Sequence, residues 1–496
     1  MGNIQNGRMD FSDLKYVKND DSFLKFQLQR GDILFNRTNS IELVGKSAVY
    51  DSDIVAIFAS YLIRIQCDPD LIVPSFLNWW INGPEGKEWA RRVRTDGVSQ
   101  SNINGKKLAA LQFPLPPLAE QRRIVAQLEA LLADVDRVRG RLEAVAGTMQ
   151  RFRKAVLGAA MDGRLTEGWR RNRPVGNALA LLDGCCKDRE AQWEDAKQKR
   201  GSGLRKYPQP FVIETPIAPC PEGWTSATLS QIAFFDVGFA FKSEEFTDAG
   251  VRLLRGENIK PGSIDWEKAR CISTDHCAEY AQFLLEERDI VLGMDRPIIS
   301  SGLKLARVRK PDLPCLLVQR VMRFRFVKKE MREFIFLCLL HSAFADSIKH
   351  GGLTGSDLPH ITGDTVPRFV IPLPPLPEQH EIVRRVDTLF ALADRIEGEV
   401  AGARERVDTL TQAILAKAFR GELVPTEAEL ARREGREYEP AVAMLERMRA
   451  EGTVKTGSVK SSRKRLGAGT ITLEAFEDQA GNEGEMSIDD EFSSES

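Results

Sequence analysis

Two short motifs in the sequence contain residue types that bind phosphate or metal ions. The run VGKS at residues 44–47 resembles the end of a phosphate-binding loop, but that loop needs an earlier glycine and position 40 is Ser40. We therefore predict the start of a strand there. Cys271, His276 and Cys277 are good soft ligands, yet no second cluster at ligand spacing accompanies them, which favours structural roles over a metal site.

Catalytic groups are not apparent in the sequence. It contains five histidines, and it has no recognisable nucleophile or methyltransferase signature. We therefore predict a chain that carries out no reaction of its own and holds no cofactor.

Polar side chains on loops form the other candidate group. Arg, Lys, Asn, Gln, Ser and Thr match the donor and acceptor patterns that base pairs present in the major groove. A single residue of this kind is more often a solvated loop residue or a phosphate contact than a base reader, so these residues are candidates for base reading only as a group. The candidates are Arg37, Thr38, Asn39, Ser40, Lys46, Ser99, Gln100 and Asn102 in the first half of the chain, and Lys242, Arg296, Lys304, Arg320 and Ser356 in the second.

The loops are positioned by a stretch that the chain carries twice. Residues 113–165 begin FPLPPLAEQRRIVAQLEALLADVDRV and close with KAVLGAAMDGRL. Residues 371–423 begin IPLPPLPEQHEIVRRVDTLFALADRI and close with QAILAKAFRGEL, at a constant offset of 258. The prolines cannot continue a helix from upstream but are tolerated in a first turn, and Gly163 and Gly421 are suitable stops. Each copy therefore predicts one long helix.

Apolar residues within each copy alternate in steps of four and three. This spacing of 3.5 residues is typical of a coiled-coil seam. The predicted seam residues are Leu128, Leu131, Val135 and Leu142 in the first copy, and Val386, Leu389, Ile396 and Leu410 in the second. About 40 residues at 1.5 Å each give a rod of about 60 Å. Glycines within each copy weaken an isolated helix, so we expect the other copy to be its partner.

Two mixed segments, which also resemble each other, precede the long helices. GNIQNGRMDF at residues 2–11 matches ENIKPGSIDW at residues 257–266, and GDIL at residues 31–34 matches RDIV at residues 288–291. Both contain short apolar runs separated by polar loops, which predicts an α+β fold. The predicted divisions are residues 1–112, the first mixed domain; 113–165, the first long helix; 166–219, a linker with at most a short helix; 220–370, the second mixed domain; 371–424, the second long helix; and 425–496, a short helix and a disordered acidic tail.

The second mixed domain contains some 36 residues, from Cys220 onward, that have no counterpart in the first. We expect Met1 to be an internal or misassigned start, or the first mixed domain to be truncated at its N-terminus.

Composition limits the class of protein. No run of about 18 apolar residues and no cleavable leader is present, so we expect no membrane association or export. Eight scattered cysteines predict reduced thiols in a cytoplasm. The net charge of −1 is uneven, because residues 474–496 contain nine acidic and no basic side chains. The remaining body has 70 basic and 62 acidic residues, a net charge of +8 that is compatible with nucleic acid binding.

Several motifs together resemble one known family. These are PLPPLxEQ at the head of both long helices, GRLTEGWR at residues 163–170, PEGW at residues 221–224 and GFAFKSEEF at residues 238–246. In this combination the chain resembles the specificity subunit of type I restriction-modification enzymes, over nearly its whole length apart from the missing front and the tail after about residue 452.

The resemblance implies a fold and a set of partners. It implies two mixed α/β target-recognition domains joined by two long helices that form an antiparallel coiled coil with pseudo-two-fold symmetry. Each domain is expected to read one part of a split site in double-stranded DNA, with the helices setting the unread spacer. It also implies methylation subunits, two in number, that use S-adenosylmethionine, and restriction subunits that use ATP and magnesium. The shortened first domain departs from the family pattern, which puts its half-site in doubt.

Two other interpretations remain open from the sequence. One is a coiled-coil interaction scaffold that binds no DNA, against which the paired mixed domains argue. The other is an inactive, truncated specificity subunit.

Overall fold

A computed structural model describes residues 2–18, 21–173, 176–200, 206–213, 220–351, 353–354, 360–361, 364–450 and 470–472. The chain divides into two compact units. The first unit comprises Met1–Glu143 and Ala401–Ser496, and the second comprises Ala144–Val400. Each unit contains one mixed domain and part of both long helices.

Helices and short strands alternate along the described residues. The helices are α1 (Pro74–Asn82), α2 (Pro84–Val93), α3 (Gly105–Ala109), α4 (Leu118–Met161), α5 (Glu167–Arg171), α6 (Ala178–Arg200), α7 (Leu229–Ile232), α8 (Arg332–Leu340), α9 (Ser342–Gly351), α10 (Thr365–Arg368), α11 (Leu376–Phe419), α12 (Glu427–Glu434) and α13 (Ala441–Ala450). The strands are β1 (Ile4–Gln5), β2 (Arg8–Met9), β3 (Ile33–Asn36), β4 (Thr38–Asn39), β5 (Ser47–Val49), β6 (Leu62–Ile65), β7 (Thr95–Asp96), β8 (Ser101–Asn102), β9 (Gln112–Pro114), β10 (Thr225–Thr228), β11 (Ala233–Val237), β12 (Val251–Leu254), β13 (Ile259–Lys260), β14 (Ser263–Ile264), β15 (Arg270–Ile272), β16 (Ile290–Gly293), β17 (Ile298–Ile299), β18 (Gly302–Leu303), β19 (Leu305–Arg307), β20 (Cys315–Leu317), β21 (Val321–Phe326), β22 (Leu353–Thr354), β23 (His360–Ile361), β24 (Val370–Leu373) and β25 (Thr470–Thr472).

The first mixed domain is built around the apolar strand β3. Its neighbours β5 and β6 both pair with it in antiparallel register, and Phe35 lies opposite Ser47 and Ile63. All four residues of β3 are buried, as expected for a strand covered on both faces. A second sheet has the order β4, β8, β7 and follows directly from the end of β3.

The second mixed domain repeats this core with added strands. Strands β11, β21, β16 and β19 form an antiparallel sheet in that order, in which β16 takes the place of β3. A second sheet places β12 between β15 and β20, with β12 and β20 parallel. Helix α8 packs on this core through Phe334, Ile335 and Leu337, all buried.

The duplication extends to individual hydrogen bonds. In the hairpin β1–β2, the Asn3 side-chain amide donates to the Asp10 carbonyl at 3.0 Å. In the hairpin β13–β14, the Asn258 amide donates to the Asp265 carbonyl at 3.0 Å. The two mixed domains therefore share one framework although few of their side chains are identical.

The two long helices pack antiparallel within each unit. In the first unit, Arg139 forms an ion pair with Asp408 at 2.9 Å, and Leu142, further along α4, accepts from Arg404, which lies earlier in α11. In the second unit, Arg153 pairs with Asp394 at 2.7 Å, and Leu165, just beyond α4, accepts a hydrogen bond from Arg385, again earlier in α11. The glycines predicted to stop these helices, Gly163 and Gly421, have φ angles of 77° and 75°.

The seam follows a slightly different period from the predicted one. Leu128, Val135 and Val386 are buried, and Leu131, Leu142, Leu389 and Ile396 are partly buried. Leu410 is 51% exposed, so its assignment to the seam is wrong, and Leu415, at 2%, lies inward instead. The buried stripe advances by 3.6 residues per turn, as in a straight helix, whereas a repeat of 3.5 falls about 20° behind in each heptad.

The predicted linker contains a substantial helix. Residues 178–200 form α6, whose Leu182 and Cys185 enter the core of the second unit and whose Ala178 is also buried. Trp193 of α6 stacks on Phe234 with ring centroids 6.2 Å apart. The apolar steps of four and three are correct for a helix, but the many charged residues between them concealed the pattern. After the second long helix, α12 and α13 replace the single predicted short helix; the predicted disorder of the tail concerns residues outside the described ones, apart from Thr470–Thr472.

The thiols of all eight cysteines, which lie within the described residues, are free. Burial raises the pKa of Cys67 and of Cys315 to about 12, and it raises that of Cys338 as well. Among the described helices, none is both long and apolar enough to cross a membrane.

Candidate nucleic-acid interface

The loop that follows the central strand is held in the same way in both mixed domains. At the end of β3, the Asn36 N–H donates to the Lys46 carbonyl at 2.9 Å. At the end of β16, the Gly293 N–H donates to the Lys304 carbonyl at 2.9 Å. Each lysine is the residue before the next strand of the sheet, β5 or β19. The two lysines are therefore structural equivalents.

The next residue of each loop is anchored by a later hairpin. The Arg37 carbonyl accepts from the Ile103 N–H at 2.8 Å, and the Met294 carbonyl accepts from the Ile361 N–H at 3.0 Å. Met294 also donates its N–H to the Arg320 carbonyl at 2.9 Å. The hairpins β7–β8 and β22–β23 thus bring distant polar residues beside the loops.

The predicted residues of the first mixed domain lie close together along this framework. Thr38 and Asn39 form strand β4 and pair with β8, so Asn102 donates to the Thr38 hydroxyl at 2.8 Å. Asn39 is buried, and its side chain accepts from the Ser40 N–H at 2.9 Å, so the prediction that it lies on an exposed loop is wrong. The short strand β4 removes it from solvent. Arg37, Ser40 and Lys46 are half-buried, whereas Ser99 and Gln100 are exposed at the tip of hairpin β7–β8.

In the second mixed domain, two predicted residues contact Asp295 and a third follows it in the sequence. Arg320 forms an ion pair with Asp295 at 2.8 Å, and the Lys304 ammonium donates to the Asp295 carbonyl at 3.3 Å. Arg296, the next residue, is exposed with a φ of 40°. A positive φ is uncommon for arginine, so the framework holds the backbone of Arg296 in a specific conformation. Lys260 adds a further positive charge that acts on Lys304.

Two predicted residues are not part of this cluster. Lys242 is exposed at the start of a 3₁₀ turn, and no hydrogen bond or ion pair joins it to the other candidates within the described part of the chain. Ser356 lies outside the described residues.

Partial burial gives the two equivalent lysines similar electrostatics. Loss of solvent lowers the pKa of Lys46, and it lowers the pKa of Lys304, which the positive charge of Lys260 lowers further. A partly desolvated ammonium gains more from an approaching anion than a fully solvated one does. These positions therefore suit contact with a phosphate.

The run VGKS has a structural role. The N–H groups of Val44 and Gly45 donate to the carbonyls of Ser40 and Asn36, at 3.0 and 2.9 Å. A phosphate-binding loop needs such amides directed at its ligand, so this loop lacks the required geometry. Ser47 begins strand β5, as predicted.

A cavity of about 810 Å³ lies beside this loop in the first unit. Its walls include Ile4, Trp79 and Leu415, and its polar lining includes Lys87 and Lys46. The ammonium of Lys87 donates to the Gln412 amide oxygen at 3.2 Å, and burial lowers its pKa.

Three residues of the two sites, Lys87, Lys260 and Asp295, were not predicted from the sequence. The repeat could have identified Asp295, because it is the counterpart of Thr38 at an offset of 257 residues.

The family-like motifs meet at one buried carboxylate in the second unit. Glu378, from the second PLPPLxEQ motif, accepts from the Trp224 indole at 2.9 Å and from the Thr166 hydroxyl at 2.7 Å. Arg170 forms an ion pair with it at 2.6 Å. PEGW, GRLTEGWR and PLPPLxEQ are therefore parts of a single structural joint. In the first unit, Glu120 instead accepts from the Glu427 N–H at 2.7 Å.

Cys271, His276 and Cys277 are the side chains that the sequence offers as soft metal ligands. Cys271 is buried in strand β15, and nothing is described of the His276 side chain. Within the described residues, His, Cys, Asp and Glu side chains form no group of three or more that is suited to a metal ion.

Comparison with known proteins identifies the family. The model of the type I restriction modification DNA specificity domain matches residues 1–145 and 221–401, which include both frameworks described above. The chain belongs to this family. The resemblance to specificity subunits that the motifs predicted is thereby confirmed.

Two relatives within the specificity subunits match most of this chain. It is 29% identical over 472 residues to the type I restriction enzyme EcoKI specificity subunit of Escherichia coli (strain K12), covering 93% of this chain and 90% of that one. It is 31% identical over 390 residues to the EcoBI specificity subunit of Escherichia coli, covering 76% and 72%.

A solved structure shows the same fold. It comes from work on complex assembly and conformational transition of the type I R-M system, and one of its chains gives a TM-score of 0.56 at 19% identity. The match covers 80% of this chain and 83% of that chain.

Proposed function

We propose that this chain reads a two-part DNA sequence within a type I restriction-modification complex, one part by each mixed domain. The observation that supports this most directly is the duplicated framework around Lys46 and Lys304. Both domains present a partly buried lysine at the same place, beside a loop and a hairpin that carry further polar side chains. Two similar modules on one chain suit a DNA site with two half-sites.

The roles within the interface divide by exposure. Lys46 and Lys304, which are both partly buried, contact DNA phosphates and so fix each domain on the duplex. Arg296 and Gln100 are exposed on framework-held loops and carry the donors that base edges accept. Arg320 holds Asp295, and the pair shapes the loop on which Arg296 lies.

The complex supplies the chemistry in this proposal. We assign the chain a non-catalytic role, with two methylation subunits that bind S-adenosylmethionine and restriction subunits that use ATP and magnesium. Membership of the specificity family and the match to the EcoKI specificity subunit support assembly with such partners.

The test is to map DNA methylation directed by this chain. It is co-expressed with the methylation subunit encoded beside it, in a host without adenine methylation, and every methylated adenine is located. A split motif with a fixed spacer is the expected result. A motif with one defined half would restrict recognition to one mixed domain, and an absence of any motif would overturn the proposal.

A further inference from the structure

A carboxylate lies among the cationic side chains of the second mixed domain. Asp295 accepts from the Arg320 guanidinium at 2.8 Å, and its backbone carbonyl accepts from the Lys304 ammonium at 3.3 Å. Arg296 follows it in the sequence and is exposed, and Lys260 adds positive charge that acts on Lys304. Beside DNA, phosphates repel such a carboxylate, so it is tolerated there only where a hydrogen-bond donor offsets the repulsion.

The backbone holds this carboxylate in place. Met294, the residue before it, donates its N–H to the Arg320 carbonyl at 2.9 Å, and Asp295 itself forms an antiparallel bridge with His360. Arg320 and Arg296 have φ angles of 61° and 40°. Glycine or asparagine adopts a positive φ with less strain than arginine does. Arginine at both positions therefore indicates a need for the guanidinium groups.

One oxygen of the carboxylate remains available to a ligand. The side chains of Asp295 and Arg320 are 36% and 66% exposed. Oδ2 accepts from Arg320, and no residue in the described part of the chain donates a hydrogen bond to Oδ1. A carboxylate has acceptor sites on both oxygens. Asp295 can therefore accept from a molecule that docks on this surface while Arg320 fixes the orientation of its carboxylate.

Duplex DNA offers few donors to a carboxylate. In the major groove the exocyclic amino groups, N4 of cytosine and N6 of adenine, donate, whereas N7, O6 and O4 accept. An acceptor edge or a phosphate repels a carboxylate, and a repulsive contact of this kind discriminates against the wrong partner. A carboxylate in the interface therefore favours base pairs that present an amino group and disfavours other duplex DNA.

We propose that Asp295 reads the exocyclic amino group of one base in the half-site bound by the second mixed domain, through Oδ1, with Arg320 as its positioning residue. The same carboxylate weakens binding to DNA that has no amino group at this place, because its charge is then left without a donor. Asp295 thus contributes to specificity by rejection as well as by attraction. The proposal rests on the proposed function, since it requires that this surface reads DNA.

The first mixed domain has a neutral residue at this place. Thr38 is the counterpart of Asp295 at an offset of 257, and its hydroxyl accepts from the Asn102 side chain at 2.8 Å. Asn102 corresponds to His360 at an offset of 258, so the backbone pairing is the same in both domains. A hydroxyl donates as well as accepts and carries no charge. Rejection by charge at this position therefore belongs to the second half-site.

Methylation mapping and DNA binding by the assembled complex test the proposal. Asp295→Ala is compared with Glu286→Ala, because Glu286 forms an exposed ion pair with Lys329 at the other end of β16. In D295A we expect discrimination at one position of the second half-site to fall by about fivefold or more. The other half-site should stay unchanged, which shows that the variant folds and assembles. E286A should retain the whole motif.

Binding to duplex that lacks the motif measures rejection separately. In D295A we expect this binding to tighten and its slope of log K against log salt to steepen by about 0.9, because Arg320 is released to a phosphate. E286A should leave the slope unchanged. Arg320→Gln should relax the same position of the motif as D295A without tightening binding to other DNA, since the carboxylate charge remains.

The position that changes in D295A identifies the base. A C·G pair assigns the cytosine N4 group, and an A·T pair assigns the adenine N6 group. An unchanged motif, or a uniform loss of binding across all sequences, would overturn the proposal while the proposed function stands. If the unmodified chain directs no split motif, the proposed function has failed and this proposal fails with it.

Discussion

Lys46 and Lys304 stand in the same backbone relationship to their central strands. The carbonyl of each accepts a 2.9 Å hydrogen bond from the last residue of that strand, and partial burial lowers the pKa of both side chains. Two charges are therefore held at matching positions by backbone geometry, independently of the surrounding loop sequences.

Replacing either lysine should reduce phosphate contact without changing sequence preference. For Lys46→Gln and Lys304→Gln, we expect the slope of log K against log salt to decrease by about 0.9 for each lost phosphate contact. The measurement is duplex binding by the assembled complex at several salt concentrations. Lys197→Gln, on α6, is the control, since Lys197 pairs locally with Glu194. An altered recognition motif with an unchanged salt slope would assign base reading to these lysines.

Arg296 should instead affect specificity at one position. Arg296→Asn removes the guanidinium but suits the observed φ of 40°, because asparagine tolerates left-handed backbone better than most residues. We expect discrimination at one base pair to fall by about 1–3 kcal/mol, with the rest of the motif retained. The check is methylation mapping on a library of sites. A uniform loss across all sequences would identify a phosphate contact.

The helix seam offers a matched pair of leucines on α11 in the first unit. Leu415 is 2% exposed and Leu410 is 51% exposed. Leu415→Asp should lower the free energy of unfolding by on the order of 3 kcal/mol, because it removes apolar packing and buries a carboxylate. Leu410→Asp should change it by less than about 0.5 kcal/mol. Urea unfolding measures both, and equal effects would contradict the observed register.

Glu381 makes a pH-dependent contribution to the folding stability of the second unit. A bidentate hydrogen-bonded pair with Arg384, together with Arg385, lowers the pKa of the Glu381 carboxyl to about 2. The ionised form is favoured in the folded state, so its stabilising contribution is fully present above about pH 4.5 and is lost as the pH falls through about 2.

Glu381→Gln should therefore reduce stability at pH 7 by about 0.5–1 kcal/mol, the range for helix-surface ion pairs. The difference from the unmodified chain should shrink as the pH falls through about 2 and vanish below it. Urea unfolding at a series of pH values measures it, with Glu399→Gln on the same helix as the control. A difference that is constant with pH would show that the ion pairs are not its source.

The regular elements were predictable because their signals are local. Prolines at the start, glycines at the end and a persistent apolar stripe identify α4 and α11 from sequence. The residue that lies inward at each turn was less certain, since periods of 3.5 and 3.6 differ by a full position after about ten turns, and Leu410 was assigned to the wrong side.

The interface was predicted in composition but not in arrangement. Polar loop residues such as Arg296 and Gln100 can be selected by type. Which of them meet depends on pairings between residues far apart in sequence, for example Met294 with Ile361. Asn39 was misjudged for this reason, because a short strand pairing buried a residue that the sequence places among loop residues. Pairing of β9 with β25 spans more than 350 residues and has no local signal.

Each unit contains at least one native cysteine whose alkylation can report on that unit alone. Cys67 belongs to the first unit, and the other cysteines, from Cys185 to Cys338, belong to the second. Burial raises the pKa of Cys67 in the first unit and of Cys185, Cys315 and Cys338 in the second, which suppresses the reactive thiolate at these positions in the folded state. Alkylation of these four cysteines, followed by mass spectrometry, therefore times the opening of each unit separately, without any introduced probe.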